Sequence, residues 1–266
     1  MLNMLIGNFQ QNRIVNLQKH LEQVFSFGQL FGLVLGRGCS GRHRFGAVEV
    51  TRQYAHDTGG QGGQREEALH AIAVFGLDAT TRLIDEILAA LPRDASRWVL
   101  VNNAGMVDPV ARNQALDAAT LAASVAVNLT APMLITSHFL AATAGLAADR
   151  RVLHISSGAG RNPMAGWSVY CAVKAGLDMH ARTVKLDNAQ EAHPVRIASI
   201  APGIIDTQMQ ATIRASDPAA FPQIERFHAL KEQGQLATAD DTAARLLNYL
   251  EREDFGAREI DDIRNY

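Results

Sequence analysis

Several features that would assign a protein to a class are scarce in this chain of 266 residues. It has two cysteines, Cys39 and Cys171, which are too few for a disulfide framework. This low count favours a protein that resides in a reducing compartment. The 25 basic and 27 acidic residues give a formal net charge of −2, so no overall basic field attracts nucleic acid or anionic lipid. No apolar run approaches the roughly 20 residues that span a bilayer, and the first five residues lack a basic signal-peptide start. We therefore expect a soluble, cytoplasmic protein that binds neither nucleic acid nor membrane.

Metal-ligand spacing is also missing. The nine histidines show no pattern such as H-E-x-x-H, so the sequence predicts no metal site.

Proline is absent from residues 1–66, and Ala47 and Ala55 are the only alanines there. The same segment holds 11 of the 21 glycines, whereas the chain is rich in Ala and Leu from Ala68 onward. The segment is either a glycine-rich binding region or a stretch that is atypical of whatever family the rest belongs to. We therefore treat residues 1–66 as an atypical N-terminal segment and 67–266 as the main domain.

In the main domain, short apolar runs alternate with helical periodicity. Strands are predicted at 72–77, 98–101, 152–155, 195–200 and near 258–260, and helices at about 80–91, 117–147, 167–186 and 240–251. This alternation indicates βαβ units, hence an α/β fold with a doubly wound parallel sheet and helices on both faces. The segment of about 204–235 breaks the rhythm and is predicted to be a helical lid.

Three predicted strands end in polar or glycine-rich sequence. These ends are Asn102–Gly105, Ser156–Gly160 and Ala201–Gly203. Ligands bind outside the carboxyl ends of parallel strands, so the three ends predict one site.

Tyr170 and Lys174 lie one helical turn apart in the predicted helix at 167–186, so their side chains share a face. A tyrosine of pKa about 10 is a poor proton donor at neutral pH. A neighbouring ammonium group lowers a tyrosine pKa by stabilising the phenolate, which makes this spacing suitable for acid catalysis. A single Y-x-x-x-K pair is a weak signal.

The combined pattern is much more specific. Asn102-Asn103-Ala104-Gly105, Asn128, Ser157, Tyr170, Lys174 and Pro202-Gly203 occur in an order that resembles the short-chain dehydrogenase/reductase family, as does the spacing of 13 residues from Ser157 to Tyr170. The stretches VNNAGMVDP (101–109), APGIIDTQMQ (201–210) and DIRNY (262–266) look like its sepiapterin reductase and benzil reductase branch. The resemblance covers about 70–266 and implies a single Rossmann-type domain.

The resemblance also implies roles for four residues. Tyr170 would donate a proton to a substrate carbonyl oxygen as hydride leaves the nicotinamide, and Ser157 would hydrogen-bond that oxygen. Lys174 would hold the nicotinamide ribose and lower the pKa of Tyr170, while Asn128 would support a water-linked proton relay. Ser156 is the rival of Ser157, but alternation along a strand would point it away.

The cofactor implied by this branch is NADP(H), in preference to NAD(H). Its expected contacts are Asp78, Asn103, Ala104, Gly105, Tyr170, Lys174, Gly203, Ile205 and Thr207. The implied function is reduction of a small ketone or diketone, and the partners are a small carbonyl substrate and further copies of the chain, in a homodimer or homotetramer. A catalytically silent Rossmann-fold binding or dimerisation module is the alternative.

One family motif is missing, the T-G-x-x-x-G-x-G loop that binds the pyrophosphate at a helix N-terminus. Gly36–Gly41 has a G-x-G-x-x-G pattern but is followed by sequence of poor helix propensity, and Thr58–Gly63 has Arg65 in place of the last glycine. A third possibility is that residues 1–66 derive from a misassigned start or a frameshift. The sequence leaves these three possibilities open.

Overall fold

The computed structural model describes residues 32–38, 81–82, 85, 88–89 and 95–266. In this part of the chain, five strands form one sheet in the order β1-β2-β3-β4-β5. The strands are β1 (Gly32–Gly38), β2 (Ala95–Asn102), β3 (Asp149–Ile155), β4 (Arg196–Ala201) and β5 (Ile260–Asp262). Strands β2 to β5 pair in parallel, which confirms the predicted α/β fold.

The helices fill the intervals between the parallel strands, as the periodicity predicts. They are α1 (Ala118–Val125), α2 (Ala131–Thr143), α3 (Ser168–Asp187), α4 (Gln208–Arg214), α5 (Ile224–Glu232) and α6 (Ala239–Glu251). Residues 81, 82, 85, 88 and 89 are also helical, in the predicted helix at about 80–91. The predicted strand at 72–77 lies outside the described residues, as does Asp78.

Both faces of the sheet are covered, because successive strand residues point in opposite directions. Val99 and Val101 of β2 belong to a core that includes Leu246 of α6. Trp98 and Leu100 belong to a second core on the other face, which also contains residues of α2 and α3, such as Phe139 and Ala181. The sheet is therefore doubly wound.

Helices α1 and α2 are joined without a break by a π-helical segment at Ala126–Thr130. Pro132 has no N–H to offer the carbonyl of Asn128 four residues earlier, and the N–H of Ala131 bonds to the carbonyl of Ala126, five residues back. The proline thus accounts for the local widening, and π-helical turns of this kind occur often at functional sites.

The joined helix over 118–143 is also, among the described residues, the one segment long and apolar enough to cross a membrane by length and composition. Core helices of soluble domains pass the same test. Ser124, Asn128 and Thr136, all fully buried polar residues of this helix, hydrogen-bond inside the protein. The helix is therefore only weak evidence of membrane insertion.

Strand β1 differs from the other strands, because it runs antiparallel to β2. Gly36 pairs with Trp98 and Gly38 with Ala95, so the chain leaves β1 beside the beginning of β2. The first two glycines of the candidate phosphate loop at Gly36–Gly41 therefore lie at the end of the sheet where β2 begins. Asn103 lies at the other end, where β2 has ended. Residues 39–41 and the second candidate, Thr58–Gly63, lie outside the described residues.

The segment predicted as a helical lid contains α4 and α5. Its two ends are tied together by hydrogen bonds from the Ala237 N–H to the Ile204 carbonyl (3.0 Å) and from the Asp206 N–H to the Ala237 carbonyl (2.9 Å). Lys231 of α5 forms an ion pair with Asp206 at 2.5 Å. These contacts hold the two ends of the segment together, so the segment forms a closed loop between β4 and α6.

Candidate active site

A cleft of about 580 Å³ lies beyond the carboxyl ends of β2, β3 and β4. The loops that follow these strands contribute Asn103, Gly105, Ser157 and Gly203, and α3 contributes Tyr170 and Lys174. The three strand ends predicted to form one site thus meet in one cleft. The lid segment closes one side of it.

An aromatic cluster lies beside Tyr170, and two of its members, Trp167 and Phe227, line the cleft. The rings of Trp167 and Phe221 stack at 4.9 Å, and Phe227 packs against both. The edge of Trp167 meets Tyr170 with ring centroids 5.3 Å apart. The cleft therefore presents an aromatic surface next to Tyr170.

Tyr170 is buried, and Ser157 is the hydrogen-bonding side chain that acts on the pKa of its phenol. Burial raises the pKa of Tyr170 to about 12, and the Ser157 hydroxyl only partly offsets this rise. The expectation that Lys174 lowers the pKa of Tyr170 stays a prediction, because the side chains that act on this pKa in the structure are Ser157 and Cys171. Desolvation of the phenolate dominates, and the Lys174 ammonium lies 5.7 Å from the centroid of the Tyr170 ring.

Lys174 is buried one turn further along α3. Its Nζ donates a hydrogen bond of 2.9 Å to the Ile155 carbonyl at the end of β3. Burial lowers the pKa of Lys174 to about 8, against the opposing effect of the Asp178 carboxylate. The ammonium group is thus charged at neutral pH and close to losing its proton in mildly alkaline solution.

Asn128 lies fully buried beneath the loop that follows β2. Its amide donates to the Met106 carbonyl (2.9 Å) and to the Ser124 carbonyl (3.0 Å), and its Oδ1 accepts from the Met106 N–H (3.2 Å). A Cβ added to Gly105 would lie 3.2 Å from Asn128 Oδ1 and 3.5 Å from Lys174 Nζ. Asn128 therefore fixes the loop, and Gly105 leaves a narrow space between the two side chains.

The two serines after β3 have different surroundings. Ser156 donates a hydrogen bond of 2.6 Å to Asp178 Oδ1, so its hydroxyl interacts with a buried side chain of the core. Ser157 accepts a 3.2 Å hydrogen bond from the Ala159 N–H and faces Tyr170. The structure thus brings Ser157, Tyr170 and Lys174 together in the cleft and Asn128 beneath it.

Most of the predicted cofactor contacts also line the cleft, namely Asn103, Gly105, Gly203, Ile205 and Thr207. Ala104 does not: it packs against Val127 and Ala131 of the helix below, because alternate residues of the extended loop point to opposite sides. The space beside Gly105, bordered by the Lys174 ammonium, is open to a ribose hydroxyl group. The residues present on this side of the cleft thus fit a nicotinamide nucleotide.

Sequence reasoning left several cleft residues without a role. Asp262 and Arg264 line the cleft and form an ion pair of 2.6 Å with each other. The signal for them was the terminal DIRNY sequence, which indicated only the branch. In the part of the chain that the structure describes, no group of three or more His, Cys, Asp or Glu side chains could hold a metal ion.

Comparison with known proteins finds a family model, described as short chain dehydrogenase, that matches residues 61–218. A benzil reductase ((S)-benzoin forming) of Bacillus cereus is 40% identical over 176 residues, which are 66% of this chain and 71% of the relative. That of Bacillus subtilis is 39% identical over 198 residues, 74% of this chain and 81% of the relative.

The sepiapterin reductase of Meriones unguiculatus is 33% identical over 196 residues, 70% of this chain and 71% of the relative. Among solved structures, the KRED1-Pglu enzyme superposes with a TM-score of 0.57 at 28% identity, covering 68% of this chain and 74% of that chain.

Proposed function

Because the chain belongs to the short chain dehydrogenase family, whose members are NAD(P)-dependent oxidoreductases, we propose that it is an NADP(H)-dependent carbonyl reductase. Its proposed substrate is a small ketone or diketone of the benzil or sepiapterin type. The benzil reductase and sepiapterin reductase relatives support this substrate class. The aromatic rings of Trp167 and Phe227, which both line the cleft, support it independently, since flat apolar groups pack well against such a surface.

The observation that carries the proposal is the Tyr170–Ser157 pair at the cleft. A nicotinamide nucleotide bound in the cleft would supply the hydride that the carbonyl carbon takes up in the proposed reaction. Tyr170 transfers its phenolic proton to the carbonyl oxygen, which becomes the hydroxyl of the product. With the pKa of Tyr170 raised to about 12 by burial, the phenol is protonated at neutral pH, as reduction requires. Ser157 hydrogen-bonds the same oxygen and stabilises its developing negative charge.

Lys174 and Asn128 support this step. The Lys174 ammonium borders the space beside Gly105, where it would hold the ribose hydroxyls of the nucleotide, and its charge favours proton release from Tyr170. Asn128 holds the loop after β2 through Met106. The carbonyl of Asn128, which Pro132 leaves without its helical donor, is a suitable acceptor for the water of the proposed relay to Lys174.

The test is NADPH oxidation in the presence of a panel of ketones and diketones, with Tyr170→Phe as the variant. Loss of the proton donor is expected to lower kcat/KM by about 10²–10⁴, with the melting temperature retained. Tyr249→Phe is the matched control, because Tyr249 is a buried tyrosine that packs against Phe255, outside the cleft. Unchanged turnover in Tyr170→Phe would exclude this tyrosine as the proton donor. Repeating the assay with NADH tests the cofactor preference.

The catalytically silent binding module is the second candidate, and the position of β1 favours it. Gly36 and Gly38 pair with residues at the start of β2, so they cannot cradle a pyrophosphate at the carboxyl ends of the strands. Titration of the protein with NADPH, followed by fluorescence, separates the two functions. Saturable binding with no turnover of any carbonyl would favour the module, whereas binding with turnover favours the reductase.

A further inference from the structure

Asp178 is a buried carboxylate that the proposed reaction does not yet use. It lies on α3 four residues after Lys174 and eight after Tyr170, so all three share one face of the helix. Its Oδ1 accepts hydrogen bonds from Ser156 (2.6 Å) and from Ser199 of β4 (2.7 Å). One carboxylate oxygen thus joins α3 to the carboxyl ends of two neighbouring strands, directly before Ser157.

The other oxygen of Asp178 faces a cation. Oδ2 accepts no hydrogen bond from the described residues, and Arg161 Nε lies 3.5 Å from it. Arg161 comes from the loop after β3 and is about one-third exposed, so solvent screens its charge. A buried carboxylate rarely has a solvent-screened cation as its only charged partner. This suggests that the charge of Asp178 also acts on a second group.

Lys174, one turn earlier on the same face of α3, is the candidate for that group. The titratable groups that act on its ammonium are Tyr170 and Asp178 from α3 and His154 from β3. Tyr170 and His154 are buried, and burial keeps both neutral at neutral pH. Asp178 is therefore the one negative charge among the described groups that act on Lys174.

We propose that Asp178 is a positioning residue for the reduction: its carboxylate ties α3 to β3 and β4 beneath the cleft, and its charge acts on the Lys174 ammonium one helical turn away. The inference rests on the proposed function, because it assigns Asp178 to the same site. Without this carboxylate, an interaction that opposes the desolvation of Lys174 is lost, and the ammonium loses its proton at lower pH. The tether and the charge are separable roles of the same side chain.

Two sets of variants separate them. Asp178→Asn keeps an amide oxygen that can accept from Ser156 and Ser199 but removes the charge. Ser156→Ala and Ser199→Ala each remove one tether and keep the charge. Arg161→Gln removes the cation on the other side of the carboxylate, so its effect on Lys174 should be absent or opposite in sign to that of Asp178→Asn.

Lys174 can be observed without any enzymatic assay, because the chain has only four lysines. In protein labelled with ¹³Cε-lysine, the signal that disappears in Lys174→Arg belongs to Lys174, and its chemical shift reports the charge of the ammonium group. We expect its titration midpoint to fall by about one pH unit or more in Asp178→Asn, and to stay or rise in Arg161→Gln. An unchanged midpoint in Asp178→Asn, in protein whose circular dichroism and melting curve show a folded state, would overturn the proposal.

The pH profile of carbonyl reduction gives the second readout. The alkaline limb of kcat should move toward neutral pH in Asp178→Asn by the same amount as the NMR midpoint, whereas Ser156→Ala should lower kcat at every pH without moving the limb. If Asp178→Asn unfolds, the serine variants and Arg161→Gln still test the assignment. A shift of the alkaline limb of the kcat profile to lower pH in Ser156→Ala or in Arg161→Gln would contradict it. Absence of reduction in the parent protein would refute the proposed function while leaving the NMR result to decide on Asp178.

Discussion

Gly105 lies between the Asn128 amide and the Lys174 ammonium, at the start of the loop after β2. In Gly105→Ala, the added Cβ would be 3.2 Å from Asn128 Oδ1 and 3.5 Å from Lys174 Nζ. The first distance is shorter than ordinary van der Waals contact, so the Asn128 side chain or the loop must shift. Because the same space is proposed to admit the nucleotide ribose, we expect the affinity for NADPH to fall tenfold or more, equivalent to about 1.4 kcal/mol.

The measurement is the Kd of NADPH by fluorescence titration, together with the melting temperature. Gly158→Ala is the comparison, since a Cβ at Gly158 meets no atom within 4 Å and should weaken binding less. Equal affinities in Gly105→Ala and the parent protein would contradict the position given to the ribose.

At the scale of single residues, the sequence located the reacting groups but not their environment. The spacing of Ser157, Tyr170 and Lys174 was sufficient to bring them into one cleft, because i,i+4 geometry and strand ends are local properties. The pKa of Tyr170 was not predictable, since it depends on burial in a core that joins residues distant in sequence, such as Val107, Trp167 and Phe227. Asp178 went unnoticed for the same reason: its partners Ser156 and Ser199 are distant in sequence.

At the scale of elements, α3 and β3 share a buried polar chain on the face of the sheet covered by α2 and α3. His154 of β3 lies within hydrogen-bond distance of Asn102 (3.0 Å) and of His180 on α3 (3.3 Å). Burial, with smaller contributions from the positive charges of His180 and Lys174, lowers the pKa of His154 to about 3. The imidazole is thus neutral in the folded protein over most of the acid range.

This difference predicts acid sensitivity. An unfolded histidine has a pKa of about 6.5, so the unfolded state binds a proton below that pH that the folded state excludes until about pH 3. The free energy of unfolding should therefore fall as the pH is lowered through this window, by up to about 1.4 kcal/mol per pH unit from His154. In His154→Gln the slope should be smaller by this amount.

Urea denaturation of the parent and of His154→Gln, at pH values from 7 to 4, measures the two slopes. His193→Gln, at an exposed histidine, provides the comparison for loss of a histidine from the surface. Parallel slopes in the parent and His154→Gln would show that His154 does not exclude the proton.

Element positions were predicted well where the pattern was periodic. Helix α3, predicted at 167–186, occupies Ser168–Asp187, and α6, predicted at 240–251, occupies Ala239–Glu251. The predicted helix at 117–147 ends at Thr143 and contains the π-helical segment around Asn128, which hydrophobic periodicity cannot show. Pro132 was the available signal, since a proline inside a helical pattern disturbs the bond to the carbonyl four residues earlier.

At the scale of the whole molecule, the described residues form one doubly wound sheet. Strand β1 differs from the prediction of a parallel sheet, because it is antiparallel to β2. Residues 32–38 form a strand, but its direction depends on pairing with β2 rather than on its own sequence. An antiparallel β1 places Gly38 beside Ala95, far from the loop after β2. Glycine spacing alone was therefore insufficient to locate a phosphate-binding loop.

The family resemblance also predicts a homodimer or homotetramer built on the helices over 118–143 and 168–187. These helices pack side by side, with Leu129 against Gly176, and they expose large apolar side chains: Met133 is 41% exposed, Met179 55% and Leu186 75%. Exposed methionines on adjacent helices are typical of surfaces that pack against another protein surface. We therefore expect light scattering after gel filtration to give two or four times the 28.8 kDa chain mass.

Met179→Glu places a charge on this surface. Burying an unpaired carboxylate in an apolar interface is costly, so the variant is expected to have a lower mass than the parent at the same concentration. Its dissociation should be partly reversed near pH 4, where glutamate becomes protonated. Gln235→Glu is the matched control, because it adds the same charge to an exposed residue outside both helices and should leave the mass unchanged. A parent protein that remains at 28.8 kDa at all concentrations, or a Met179→Glu variant with the parent's mass, would show that these helices do not form the interface.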